Sequence, residues 1–210
     1  MEILIVAATE NEISKYRNLA QQNSYPVDIL VTGAGMVPTA FMLGQRLATR
    51  RYDAIINIGI AGSFRRDIEL GSIIRIATDQ FSELGAQNGS QFLTLEEIGL
   101  GQSFYKEKPT AQLLKVPAIS ELKTQNAITV NTVHGDEKSI EKIRERVDPD
   151  LESMEGAAVF FVAEKENIPV LQIRSISNYV EERNREAWKI STAINNINDW
   201  LSRLSSEIFS

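Results

Sequence analysis

Short apolar bursts alternate with longer stretches of helical period along this chain, and that alternation predicts its fold class. Glu2 to Ala7 reads as a buried strand, followed by the helix-start residues Thr9 and Glu10 and a helix through roughly Glu10 to Ala20. Val27 to Val31 is a second strand. Thr32-Gly33-Ala34-Gly35 then leads into an amphipathic helix whose expected inward residues are Val37, Ala40, Phe41, Leu43, Leu47 and Ala48. Ala54 to Ile58 is a third buried strand, ending in Gly59-Ile60-Ala61-Gly62, and Ser72 to Ala77 is a fourth. From Gln80 to about Lys123 the pattern is least regular. Its glycines (Gly85, Gly89, Gly99, Gly101) and aromatics (Phe81, Phe92, Phe104, Tyr105) predict long loops of the kind that carry a site or a subunit contact. Ala127 to Val133 is a strand, Glu137 to Arg146 a short helix and Gly156 to Lys165 an apolar one. Val170 opens a short apolar strand that closes on Ser177-Asn178. Trp188, Ala193, Ile194, Ile197, Trp200, Leu201, Leu204 and Ile208 repeat at helical spacing to the end. Strands alternating with helices predict an α/β fold with a largely parallel sheet.

Composition narrows the function classes. At 210 residues, with no repeat or linker, the chain is expected to form one domain spanning 1–210 with a substantial core. The net charge is −6 and no Lys or Arg block is long enough to follow a phosphate backbone, so nucleic acid is not an expected partner. The absence of cysteine excludes disulfides and thiol chemistry. The N-terminal apolar run lacks a basic segment before it and is too short for a signal peptide or a membrane span, which makes the cytoplasm the expected compartment and a membrane an unexpected partner.

The candidate chemistry lies mostly at strand ends. Gly33-Ala34-Gly35 invites a dinucleotide-binding reading, but the third glycine is missing and the motif follows the second strand; a tight strand-to-helix turn suffices. Glu10 and Glu12 read either as acids in a first helical turn, where the macrodipole favours them, or as carboxylates on the ligand-facing edge of the sheet. Glu155 carries the same two readings, Met154 alone would be core, and Asn178 alone could make an Asx turn. Arg174, inside an apolar strand, needs a partner, and a carboxylate is the expected one. His134 is the only histidine, which argues against a zinc site and a catalytic triad; it is either a loop residue or a substrate contact.

Taken in order, Glu12, Gly33-Ala34-Gly35, Asn57-Ile58-Gly59-Ile60-Ala61-Gly62, Ser153-Met154-Glu155 and Arg174-Ser175-Ile176-Ser177-Asn178 resemble the purine nucleoside phosphorylase and nucleosidase superfamily, over about Met1 to Asn178. Glu83-Leu84-Gly85-Ala86, the run from Phe92 to Leu100 and Val130-Asn131-Thr132-Val133-His134-Gly135 are most similar, within it, to the futalosine hydrolases. The resemblance implies a three-layer α/β/α sandwich around a central mixed, largely parallel twisted sheet. It also implies a homo-oligomer, a purine nucleoside substrate, and neither metal nor organic cofactor. Its implied reaction is water-driven cleavage of futalosine to hypoxanthine and dehypoxanthine futalosine, a step of the futalosine route to menaquinone. Glu12 would be the general base, Glu155 would bind the ribose hydroxyls with Met154 packed on the sugar, and Asn178 would donate to N7 and O6 of a 6-oxopurine. Ile60, Ala61, Gly62, Val133, His134, Ser153 and Ser177 complete the implied binding set. Adenine-specific relatives carry an Asp where Asn178 stands. The phosphorylases carry an Arg-containing loop after the first strand and a hydroxyl where Ile60 stands, and both departures favour water over phosphate. The alternatives are an adenine-releasing nucleosidase (methylthioadenosine, adenosylhomocysteine or 6-aminofutalosine), a phosphorylase, and a non-catalytic nucleoside-binding protein. Arg65, Arg66 and Lys106 are candidate cations for the carboxylate-bearing end of futalosine.

Overall fold

In the computed structural model, which describes residues 1–209, the first apolar burst is β1 (Ile3–Ala7). It divides its side chains by period two: Leu4 and Val6 join one core cluster, Ile3, Ile5 and Ala7 the other. The remaining elements are α1 (Glu10–Gln22), β2 (Val27–Val31), α2 (Met36–Thr49), β3 (Ala54–Ser63), β4 (Ile73–Phe81), β5 (Gly85–Asn88), β6 (Gln91–Thr94), β7 (Phe104–Lys106) and α3, a single turn at Pro117–Ser120. They continue with β8 (Thr124–Thr129), α4 (Glu137–Val147), β9 (Leu151–Ser153), α5 (Gly156–Lys165), β10 (Val170–Tyr179) and α6 (Ile190–Phe209).

One eight-stranded sheet, in the order β10-β4-β8-β9-β3-β1-β2 with β7 on β4, forms the middle layer; β5 and β6 make a separate hairpin. β2, β1, β3 and β10 run parallel, as do β4, β8 and β9, while β10–β4, β3–β9 and β4–β7 are antiparallel. Because β10 also pairs with β3, the path β3-β10-β4-β8-β9 returns to β3 and this half of the sheet closes into a ring. α1 and α6 cover one face, burying Ile13, Tyr16, Ile197, Leu201 and Leu204 against Ile5, Ile56 and Ile173. α2 and α5 cover the other with Leu43, Leu47, Val159 and Phe160. The fold is the expected α/β/α sandwich with a mixed sheet. Among the described residues no helix is long and apolar enough to cross a membrane.

Several boundaries move. β3 continues five residues past Ile58 because its glycine-rich end is still paired, to β10 and to β9. β4 runs on to Phe81, and β8 lies at Thr124–Thr129, earlier than the 127–133 expected. Within the irregular 80–123 segment, β5, β6 and β7 form short strands. Trp188 precedes α6 and does not belong to it. The inward face of α2 is Thr39, Leu43 and Leu47, with Ala40 partly buried; Ala48 is exposed, as are Val37 and Phe41 at 74% and 65%. Val37 lines an apolar groove between α2 and the 81–105 segment instead of packing on the sheet.

Candidate active site

The carboxyl ends of β1, β3, β9 and β10 converge on one pocket, and each element places its side chain for a local reason. Thr9 is the N-cap of α1. Its backbone N–H and its hydroxyl donate to Glu12 Oε2 at 2.9 and 2.8 Å, the reciprocal half of a capping box. The helix-start reading of Glu12 is therefore correct as far as it goes. The other carboxylate oxygen, however, crosses to β3 and accepts from the Ile60 N–H at 3.2 Å. Gly59 makes that approach possible: a Cβ there would lie 2.9 Å from Glu12 Oε1 and 3.3 Å from Arg174 Nη1. Glu12 ends 7% exposed, facing the pocket.

Glu155 occupies the N-cap position of α5 and accepts from the Gly35 N–H at 2.9 Å. The glycine turn after β2, with Gly33 and Gly35 at φ of 88° and 99°, thus serves as a backbone donor to a carboxylate across the pocket. Burial pushes the Glu155 carboxyl upward; the Arg174 charge and the Gly35 N–H oppose this, and the Glu12 charge adds to it.

On β10, the register shifts between Ile176 and Asn178, so Ser177 is an extra residue that re-aims its neighbour. Ser177 Oγ donates to Asn178 Oδ1 at 2.8 Å and Asn178 Nδ2 donates to the Tyr179 carbonyl at 3.0 Å, which fixes the amide with its second N–H free for a ligand.

All eleven residues singled out from the sequence line this pocket of about 380 Å³: Glu12, Ile60, Ala61, Gly62, Val133, His134, Ser153, Met154, Glu155, Ser177 and Asn178. His134 is a partly buried pocket residue, its Nδ1 2.6 Å from Glu152 Oε2. Sequence reasoning missed Glu152, whose only signal is its place beside Ser153, and Asn11, Arg183, Trp188, Ile190 and Ile194. It also misjudged the cations. Arg65 pairs with Asp67 and Asp150, Arg66 with Glu181, and neither they nor Lys106 line the pocket. Arg183 does, and it makes no ion pair among the described residues.

Arg174 lacks the expected carboxylate partner. Its Nη2 donates to Asn57 Oδ1 at 2.6 Å and its Nη1 to the Ile173 carbonyl at 3.3 Å, while Nε has no acceptor. Burial lowers its pKa, countered by the charges of Glu155, Glu12 and Asp79, so it acts as a buried cation behind two pocket carboxylates. Among the described residues no group of three or more His, Cys, Asp or Glu side chains is placed to hold a metal ion.

The family model of the phosphorylase superfamily matches residues 12–208. A futalosine hydrolase of Streptomyces coelicolor is 30% identical over 85% of this chain and 78% of its own length. One from Acidothermus cellulolyticus is 30% identical over 80% and 70%. In fold, the chain is similar to native futalosine hydrolase of Helicobacter pylori, with TM-score 0.85 and 16% identity over 99% of this chain and 98% of the other. It is similar also to the Helicobacter pylori 5′-methylthioadenosine/S-adenosylhomocysteine nucleosidase, with TM-score 0.84 and 15% identity over 99% of each chain.

Proposed function

The chain belongs to the phosphorylase superfamily and, within it, to the futalosine hydrolase family, and from that premise we propose that its pocket hydrolyses the N-glycosidic bond of futalosine, releasing hypoxanthine and dehypoxanthine futalosine. The observation that carries the reading is the meeting of Glu12, Glu155 and Asn178 from three different parts of the chain in one pocket. Cleavage develops positive charge on the ribose and negative charge on the purine. Glu12, held by Thr9 and the Ile60 N–H, positions water and takes its proton. Glu155 accepts from the ribose hydroxyls in a charge-assisted contact while Met154 packs on the sugar. Asn178 donates its unused N–H to N7 and O6 as charge accumulates there. Such a preorganised donor contributes about 3–4 kcal/mol to a transition state.

Two features favour water over phosphate as nucleophile. Ile60 offers no side-chain hydrogen bond, and Arg174, the buried cation nearest Glu12, is committed to Asn57. Arg183, with its guanidinium 5.2 Å from the Trp188 ring centre, suits a substrate that carries a carboxylate beyond its ribose. We place the reaction in the cytoplasm as a step of the futalosine route to menaquinone. We also propose that two copies associate through the apolar groove beside α2.

Base release from futalosine, its 6-amino analogue, inosine and methylthioadenosine, each with and without phosphate, tests the reading. The expected result is phosphate-independent hypoxanthine release from futalosine. Strict phosphate dependence, or adenine release alone, overturns it.

A further inference from the structure

Where α6 packs on α1 it puts an amide into a seam built mostly of apolar side chains. Ile13 and Tyr16 meet Ile197, Leu201 and Leu204 there, and Asn198 stands among them, fully buried. Burying an amide is costly unless its polar atoms are hydrogen-bonded, and each of those of Asn198 has a partner. Its Oδ1 accepts from the Tyr16 N–H at 2.8 Å. Its Nδ2 donates to the Glu12 carbonyl at 2.8 Å and to the Ile194 carbonyl at 2.7 Å. The ladder of an α-helix pairs each N–H with the carbonyl four residues earlier. In α1 the partner of the Tyr16 N–H is the Glu12 carbonyl, so Asn198 addresses both members of the one rung that begins at Glu12.

What the two helices carry gives that rung its importance. The Glu12 carboxylate is tied to its own turn by Thr9 and to β3 by the Ile60 N–H at 3.2 Å. Those bonds orient the carboxylate but do not fix α1 against α6. On α6, Ile190 and Ile194 line the same pocket as Glu12. A single side chain therefore joins the main chain of one pocket residue, Glu12, to the main chain of another, Ile194. We propose that Asn198 is the positioning residue for Glu12: its amide sets the first turn of α1 against α6, and with it the distance from the base to a nucleoside seated against Ile190 and Ile194. Without the amide, Glu12 keeps its bonds to Thr9, but the turn that carries it can slide along α6. A displacement of about 1 Å at a reacting group costs about 10²-fold in rate. This inference rests on the reading that Glu12 is the base of a nucleoside-cleaving pocket.

The test separates positioning from mere support of the fold. Asn198→Leu keeps the size of the side chain and removes all three bonds; it is assayed on futalosine alone and combined with Glu12→Gln, with folding checked by circular dichroism. In the single variant kcat is expected to fall about tenfold to a hundredfold while KM changes less than about threefold. In the Glu12→Gln background the same substitution should change kcat by less than about twofold, because no base is left to misplace. A folded N198L with kcat within about twofold of wild type overturns the assignment. So does a loss of kcat that is equal in the two backgrounds, which is the signature of a residue that only supports the fold. If N198L does not fold, Asn198→Asp is read by the same two comparisons: it keeps the shape and the acceptor for the Tyr16 N–H and, ionised, offers neither donor. Failure of the underlying reading looks different: wild type releases no base from futalosine, or Glu12→Gln alone turns over normally.

Discussion

At the scale of single residues, the pocket works because two glycines are absent side chains in the right places. Gly59 lets Glu12 reach the Ile60 N–H, and Gly62 is tight against Val180 and Asn178, where a Cβ would lie 3.0 Å from Val180 Cγ2 and 3.2 Å from Asn178 Nδ2. The account assigns Glu12 the proton of the attacking water. Glu12→Gln keeps the shape and one accepting arm, its NH2 end being unable to accept from a backbone N–H, and cannot take that proton. Its kcat should fall about 10²- to 10⁴-fold with substrate affinity largely retained, measured as steady-state hypoxanthine release beside a direct binding titration; near-normal turnover would contradict the role. Glu12 and Glu155 were legible in the sequence because each opens a helix whose apolar pattern is readable. Glu152 was not. It belongs to a three-residue strand, and only the fold brings it to its partner, the His134 N–H that donates to its Oε1 at 3.1 Å. Arg183 and Trp188 escaped for another reason: the segment between β10 and α6 has no periodicity to read.

At the scale of elements, the position of α5 decides where Met154 and Glu155 stand, and a buried polar network sets that position. Asp79 of β4 accepts from Gln172 Nε2 and from Thr129 Oγ1, both at 3.0 Å, and Thr129 Oγ1 in turn accepts from the Ala157 N–H at 2.8 Å. Gly156 is tight against this network, since a Cβ there would lie 2.1 Å from Gln172 Nε2 and 2.2 Å from Asp79 Oδ2. The sequence hid this network. With β4 expected to end at Ala77, Asp79 belonged to a solvated loop, whereas the strand continues to Phe81 and buries it completely. Burial raises the Asp79 pKa from 3.8 to about 6, against the hydrogen bonds of Gln172 and Thr129 and the charge of Arg174. The native pKa lies above the unfolded one, so the associated stabilisation is fully present below about pH 4 and is lost as pH rises through about 6. The shift corresponds to about 3 kcal/mol. Denaturant unfolding between about pH 4.5 and 8 should show wild type losing stability that Asp79→Asn does not lose; parallel curves for the two proteins would contradict this.

At the scale of the whole molecule, the alternation of strands and helices was enough to predict an α/β fold with a largely parallel sheet, because β1 is buried on both faces and reads as an unbroken apolar run, whereas the three layers followed from the family resemblance. What it could not separate was core from exposed groove. Val37 and Phe41 have helical spacing and apolar character, but both are exposed, and Val37 lines a groove of about 580 Å³ shared with Phe81, Leu84, Leu100 and Tyr105. Leu100 is 75% exposed there. This groove is the surface through which two copies are proposed to associate. Sedimentation of wild type should give a dimer and the double variant Val37→Glu, Leu100→Glu a monomer; a monomeric wild type would remove the groove from the account. The central claim, that this one pocket seats and cleaves a 6-oxopurine nucleoside, is tested most directly by a crystal structure of Glu12→Gln with futalosine bound. The account predicts the hypoxanthine ring with its N7 and O6 at Asn178, the ribose hydroxyls on Glu155, and C1′ facing residue 12 across a water molecule. A nucleoside seated in the groove beside α2, or a base turned away from Asn178, would contradict it.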